Sequence, residues 1–130
     1  MAAPPRTARR PYHHGNLRQA IIDMALTIAE ESGEERVSLR EVARRIGVSS
    51  GAPFRHFDNH EALMTAIAEE ATLRLRIAVE RTLQGAGTEP IDRLHALGHG
   101  FLEWALGHPT AFRLVSARRL YRYEDRKSTR

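Results

Sequence analysis

The sequence has no cysteine, which excludes disulfides, thiolate zinc sites and cysteine nucleophiles. Lysine is nearly missing too: Lys127 is the single lysine among 20 basic residues. Arginine in its place favours flat, forked hydrogen bonding to phosphate, carboxylate or base edges. No apolar run approaches the roughly 20 residues that a membrane span needs. The opening MAAPPRTARRPYHHG has basic residues but no apolar core of a secretory signal, so a cytosolic protein without a membrane partner is expected. Catalytic signatures are lacking as well. There is no serine in a nucleophile turn with a positioned histidine and acid, no glycine-rich phosphate loop and no H-E-x-x-H. Neither an enzyme nor a cofactor is expected. What is present is 42% hydrophobic residues in a chain of 130 with net charge +4, enough for one small core and too apolar for a disordered chain.

Residues 1–14 read as a flexible basic arm: Pro4, Pro5 and Pro11 interrupt helix, and Arg6, Arg9 and Arg10 have no acid nearby. Such an arm is either a solvated tail or one that follows DNA along phosphates or into the minor groove. From Asn16, a candidate N-cap, Leu17, Ala20, Ile21, Met24, Ala25, Ile28 and Ala29 repeat at helical period, and Gly33 closes the helix. Ser38 with Glu41 forms a capping box that opens a second helix, with Leu39, Val42, Ala43 and Ile46 on its apolar face and Gly47 at its end. A third short helix is predicted over 50–57, with Ser50 as N-cap, so that Pro53 falls in the first turn where its missing N–H costs nothing. Asp58 with Glu61 makes a second capping box, opening a long helix to about Leu83. The segment QGAGTEP, 84–90, is the one clear linker. Beyond it, Pro90 starts a helix whose apolar face is Ile91, Leu94, Leu97, Phe101, Leu102 and Ala105. A last helix is predicted from Pro109 to about Tyr123, carrying Phe112, Val115, Leu120 and Tyr121. No alternating run argues for a strand, so the chain reads as all-α.

Two short helices joined by a tight glycine-containing turn, with longer helices on both sides, have the layout of a helix-turn-helix. Gly47 permits a turn conformation that a β-carbon resists, and Ala43 is small where two helices must approach. The third helix carries Ser50, Gly51, Ala52, Arg55 and His56, residues small or polar enough to sit against base edges in a major groove. An ordinary helical hairpin inside a bundle is the plainer alternative. His56 and His60 are four apart, but a new helix starts between them, so they share no helical face and no metal site is expected. Phe101, Trp104 and Phe112 read either as core or as the wall of an apolar ligand pocket.

The run VSLREVARRIGVSSGAPFRHFDNHEALMTAIAEE, Val37 to Glu70, with G-V-S-x-x-x-x-F-x-H-F inside it, resembles the DNA-binding domain of the TetR/AcrR regulators. The preceding YHHGNLRQAIIDMALTIAEESG is similar to that family's first helix. The resemblance implies a homeodomain-like three-helix domain over 15–75, its helix-turn-helix at about 38–57. A partial C-terminal ligand-binding domain over 76–130 would follow. It implies a cytoplasmic bacterial repressor, on the nucleoid when bound to DNA, that binds double-stranded DNA at a palindromic operator and responds to a small-molecule effector. The matching positions are Arg40, which would reach a base or phosphate; Ser49, Ser50, Gly51, Ala52 and Arg55, which would form the recognition surface; and His56, which would contact phosphate. Phe54 and His60 belong to the same DNA-binding set but depart from the family's habit: Phe54 stands where tyrosine is usual and His60 where lysine is usual, each removing a phosphate donor, although a protonated His60 at the start of the fourth helix would add to the phosphate binding of that helix end. The family's homodimer is expected to be weak or absent here. The C-terminal half is only begun, and from Arg113 onward seven Lys/Arg stand against two acids.

Overall fold

The computed structural model describes residues 16–117, and among them there is no strand. Helix α1 is Leu17–Ser32, and it buries Ile21, Ala25, Ile28 and Ala29 of the predicted stripe together with Ile22 and Leu26 beside it, while Leu17, Ala20 and Met24 are half-buried. Asn16 holds the N-cap position with ψ 2° and makes no side-chain bond there. Its backbone is not in the extended conformation that aims a cap oxygen at the first turn. A short 3₁₀ turn, Glu34–Arg36, leads to α2, Leu39–Ile46. Ser38 caps α2, its hydroxyl accepting from the Glu41 N–H at 3.0 Å. Only half of the expected capping box forms, because the Glu41 carboxylate accepts from Arg44 Nη2 at 2.6 Å and Nε at 2.9 Å. Gly47 ends α2 in the left-handed region, at φ 77°, and Ala43 O accepts from both Gly47 and Val48 N–H.

The predicted third helix over 50–57 is shorter and tighter than expected. It is a 3₁₀ segment, Ala52–Arg55, with Gly51 rather than Ser50 at the cap position. Its bonds run three residues back, from Phe54 N–H to Gly51 O at 3.2 Å and from His56 N–H to Pro53 O at 3.0 Å. Four residues are too few to nucleate an α-helix on their own. The segment is instead pinned by Pro53 and Phe57, both buried.

Helix α3 is His60–Gln84, and its cap is Asn59, one residue beyond the expected Asp58. The Asn59 Oδ1 accepts from Ala62 N–H at 2.8 Å, so Glu61 falls in the first turn beside the helix dipole and closes no capping box. With 25 residues, α3 runs about 37 Å. Helix α4, Pro90–Gly107, packs along α3 through Gly100. The Thr82 hydroxyl donates to Ala96 O at 2.9 Å across this junction, and a β-carbon on Gly100 would collide with the Thr82 side chain. Helix α5 covers 109–117 of the described residues.

One apolar cluster joins these elements, with Ile21, Ile28, Val42, Leu63 and Ile67 at its centre and Trp104, Ala111 and Leu114 at its far end. The other face of α4 is bare: Ile91, Leu94, Leu102 and Leu106 are all more than half exposed. The arm with Arg6, Arg9 and Arg10, and the end of the last predicted helix with Leu120 and Tyr121, lie outside the described residues.

Candidate nucleic-acid interface

The turn between α2 and the 3₁₀ segment is fixed from below and free above. Pro53 and Phe57 are sunk into the core, while Ser49, Ser50, Gly51, Phe54, Arg55 and His56 are exposed along one continuous stretch of chain. Phe54 is 53% exposed, unusual for an aromatic ring beside a core. Ala52 is half-buried, so this small side chain is divided between the protein and the outer surface. Gly51 is the informative position. Its φ is −84°, which any residue adopts, and a β-carbon there would meet nothing within 4 Å. Neither backbone geometry nor internal packing requires a glycine here.

The arginines sort into two groups. Arg44 is held by Glu41 and Arg45 by Glu31, the latter at 2.7 Å. The hydrogen bond from Arg44 holds the Glu41 carboxyl below the usual carboxylate value, and the bond from Arg45 does the same to Glu31. Arg40 and Arg55 are exposed, and among the described residues neither has a hydrogen bond or ion pair. Arg18, which the motif did not single out, lies over the Phe57 ring at 5.3 Å from its centroid. The register of α1 brings the two together, and no spacing rule in the sequence reports it.

His60, at the start of α3, is tied to the chain before α2. Its Nε2 lies 2.9 Å from Val37 O. A carbonyl oxygen only accepts, so Nε2 carries the hydrogen. This bond crosses 23 positions of sequence, beyond the reach of motif reasoning.

Of the three aromatics considered for a ligand pocket, one lines a cavity. Trp104, buried against α3, borders an open space of about 220 Å³ together with Leu26, Thr27, Ala71, Arg74 and His108. Phe101 and Phe112 are not in its wall; they meet edge to face at 5.6 Å. The helical turn that aims Gly100 and Trp104 at α3 rotates Phe101 outward. Beside the cavity, Glu30 of α1 accepts from the Ala111 N–H at 3.1 Å, which caps the start of α5 with a carboxylate from the first helix. Among the described residues no three His, Asp or Glu side chains gather to hold a metal, and no helix is long and apolar enough to cross a membrane.

Comparison with known proteins gives concordant results. The family model of the bacterial regulatory proteins of the tetR family matches residues 21–71. The HTH-type transcriptional regulator BetI of Escherichia coli, in strains K12 / DH10B and O139:H28 alike, is 33% identical over 89 residues, covering 68% of this chain and 40% of the regulator. A solved protein of unknown function from Rhodococcus sp. RHA1 superposes with a TM-score of 0.73 at 38% identity, covering 82% of this chain and 55% of that one. The chain thus spans 40% of the length of these curated relatives.

Proposed function

The chain belongs to the TetR family of bacterial regulatory proteins, and from that membership we propose that it binds double-stranded DNA at a specific operator through the edge formed by Arg40, Ser49, Ser50, Gly51, Ala52, Phe54, Arg55 and His56. One observation carries the reading. Among the described residues the side chains along this edge have no hydrogen-bond or ion-pair partner, and they surround a glycine that neither φ nor internal packing requires. In a major groove, the serine hydroxyls meet base edges, Ala52 and Phe54 meet thymine methyl groups, and Arg40, Arg55 and His56 meet guanine or phosphate. The regulator acts as a ligand-responsive repressor. Two features support this: α3 runs unbroken from the turn to α4, and Glu30 ties α1 to α5 beside the Trp104 cavity. An effector works there by binding two arrangements of these helices with different affinity. A palindromic operator needs two recognition segments roughly 34–36 Å apart, and so a homodimer. The bare face of α4 is apolar surface available for such a seam.

The test is a salt titration of binding to random and to selected operator duplexes. Each phosphate neutralised adds about 0.9 to the log–log slope. A slope of about 3 or more on random DNA, with tighter binding to operator, is the expected result. A flat salt response would leave a helical interaction module in place of a DNA-binding regulator.

A further inference from the structure

We propose that the bare face of α4 is a self-association seam, on which a second copy of this chain docks antiparallel with the two-fold axis over Gly98. This rests on the homodimer reading above, to which it gives a surface. Helix α4 meets α3 through Ala96, Gly100 and Trp104. Ala96 O accepts from the Thr82 hydroxyl, a β-carbon on Gly100 would strike the Thr82 side chain, and Trp104 is buried. At 3.6 residues per turn, Gly98 lies about 160° around the helix axis from Gly100. That far side carries Ile91, Leu94, Gly98, Leu102 and Ala105. Leu94 is 62% and Leu102 60% exposed, and a β-carbon on Gly98 would meet nothing within 4 Å. Leu97 and Phe101, also exposed, run along one edge. Leucines scattered singly on a surface need no explanation, but a contiguous apolar patch of this kind marks a place of contact.

The spacing names the occupant. From Ile91 to Ala105 the intervals are 3, 4, 4 and 3 positions, which read the same in both directions about Gly98. A two-fold axis between antiparallel helices sets each residue against the one equally far on the other side of the centre. Leu94 then meets the partner's Leu102, Ile91 meets the partner's Ala105, and the two copies of Gly98 face each other where the backbones come closest. The glycine lets the helices approach, and the leucine pairs on both sides fill the space beside it. Charge excludes other occupants. Asp92, Arg93 and Glu103 lie off this face by the helical period, so it meets its own copy without repulsion. A helix that lies on a membrane surface is flanked by lysine and arginine, whereas on α4 one arginine stands against two acids. With 18 residues, α4 is about 27 Å long. A pair of such helices falls at the small end of specific interfaces, under about 1,200 Å² in total, and the expected dimer is of micromolar strength.

The test is sedimentation equilibrium of the full chain without DNA, over about 1 to 200 μM. The mean mass should rise from one chain toward two across this range. Leu94→Glu sets a carboxylate against the partner's Leu102 and should weaken the dimer about tenfold or more, and Leu102→Lys should do the same from the other side. With both substitutions in one chain, each new carboxylate faces the partner's new ammonium, and most of the lost affinity should return. Gly98→Leu blocks the closest approach and should abolish the dimer. Leu94 and Leu102 are exposed and the space over Gly98 is open in the single chain, so these variants should melt near the wild-type temperature. A mass of one chain at every concentration would overturn the seam. So would a dimer indifferent to Leu94→Glu and Gly98→Leu, which would lie on another surface. Loss in both single variants without recovery in the double one would overturn the antiparallel register. A chain that stays single and binds phosphatidylcholine vesicles instead would make α4 a membrane-surface helix. DNA affinity enters none of these outcomes, so failure of the seam is distinct from failure of the DNA-binding reading, which the salt titration measures.

Discussion

Replacing Gly51 by alanine should make the protein more stable and a poorer DNA binder, and the opposite signs are the point. The backbone at Gly51, φ −84° and ψ −18°, suits alanine without strain. The added methyl meets no atom within 4 Å. The unfolded chain loses more freedom than the folded one, which stabilises the fold by about 0.4–1 kcal/mol. For a domain of this size that is a rise of roughly 2–6 °C in melting temperature. On DNA the same methyl occupies the space between the 3₁₀ segment and the groove. Lost contacts there should weaken operator binding by roughly 1–3 kcal/mol, or about 5- to 150-fold. The assay pairs a thermal melt with anisotropy on an operator selected from a random library, at one salt concentration. A lower melting temperature would refute the free space at Gly51. A raised melting temperature with unchanged operator affinity would show that no partner approaches the glycine and that the recognition surface lies elsewhere.

Three further substitutions probe the turn, the edge and the second half. Gly47→Ala forces a β-carbon into the left-handed conformation at φ 77° and should cost about 1–2 kcal/mol in a urea melt; no loss would mean that the turn relaxes freely. Arg40→Ala should weaken operator binding by roughly 1–3 kcal/mol with little change in stability, whereas equal affinity at fixed salt would make Arg40 an ordinary surface charge. Gly100→Ala places a methyl into the Thr82 side chain and should cost about 1–3 kcal/mol by overpacking; a neutral outcome would show that α4 rides loosely on α3.

The helices were legible in the sequence because their signals are periodic and long. The stripe from Leu17 to Ala29 is a repeated observation of one face, and four of its residues, Ile21, Ala25, Ile28 and Ala29, are buried, while Ile22 and Leu26 beside it are buried as well. Single-residue features were less legible. Asp58 and Asn59 are equally competent caps, and the choice of Asn59 depends on its extended backbone, φ −155°, which the path of the chain from Phe57 sets. The 3₁₀ form of Ala52–Arg55 was invisible for another reason: four residues hold little more than one turn, and one turn has no period to read. Trp104 and Phe101 looked equivalent as aromatics on one helix, and only the close approach at Gly100 and Thr82 decides which of them faces inward.

The exposed edge proposed for DNA was marked in composition, as a run of small and polar residues, but its electrostatics were not legible. Arg40, Arg44 and Arg45 lie within six positions on one short helix, and a count of charge treats them alike. The fold separates them. Glu41, one turn before Arg44, takes that guanidinium by a bond of 2.6 Å, and Glu31, brought alongside from α1, takes Arg45 at 2.7 Å. An arginine already paired with a carboxylate must give up that bond to reach phosphate, so its net gain on binding is small. Arg40 and Arg55 surrender no such partner. The net charge of +4 therefore says little about affinity for DNA. The internal carboxylates select which arginines remain available, and of these four they leave Arg40 and Arg55.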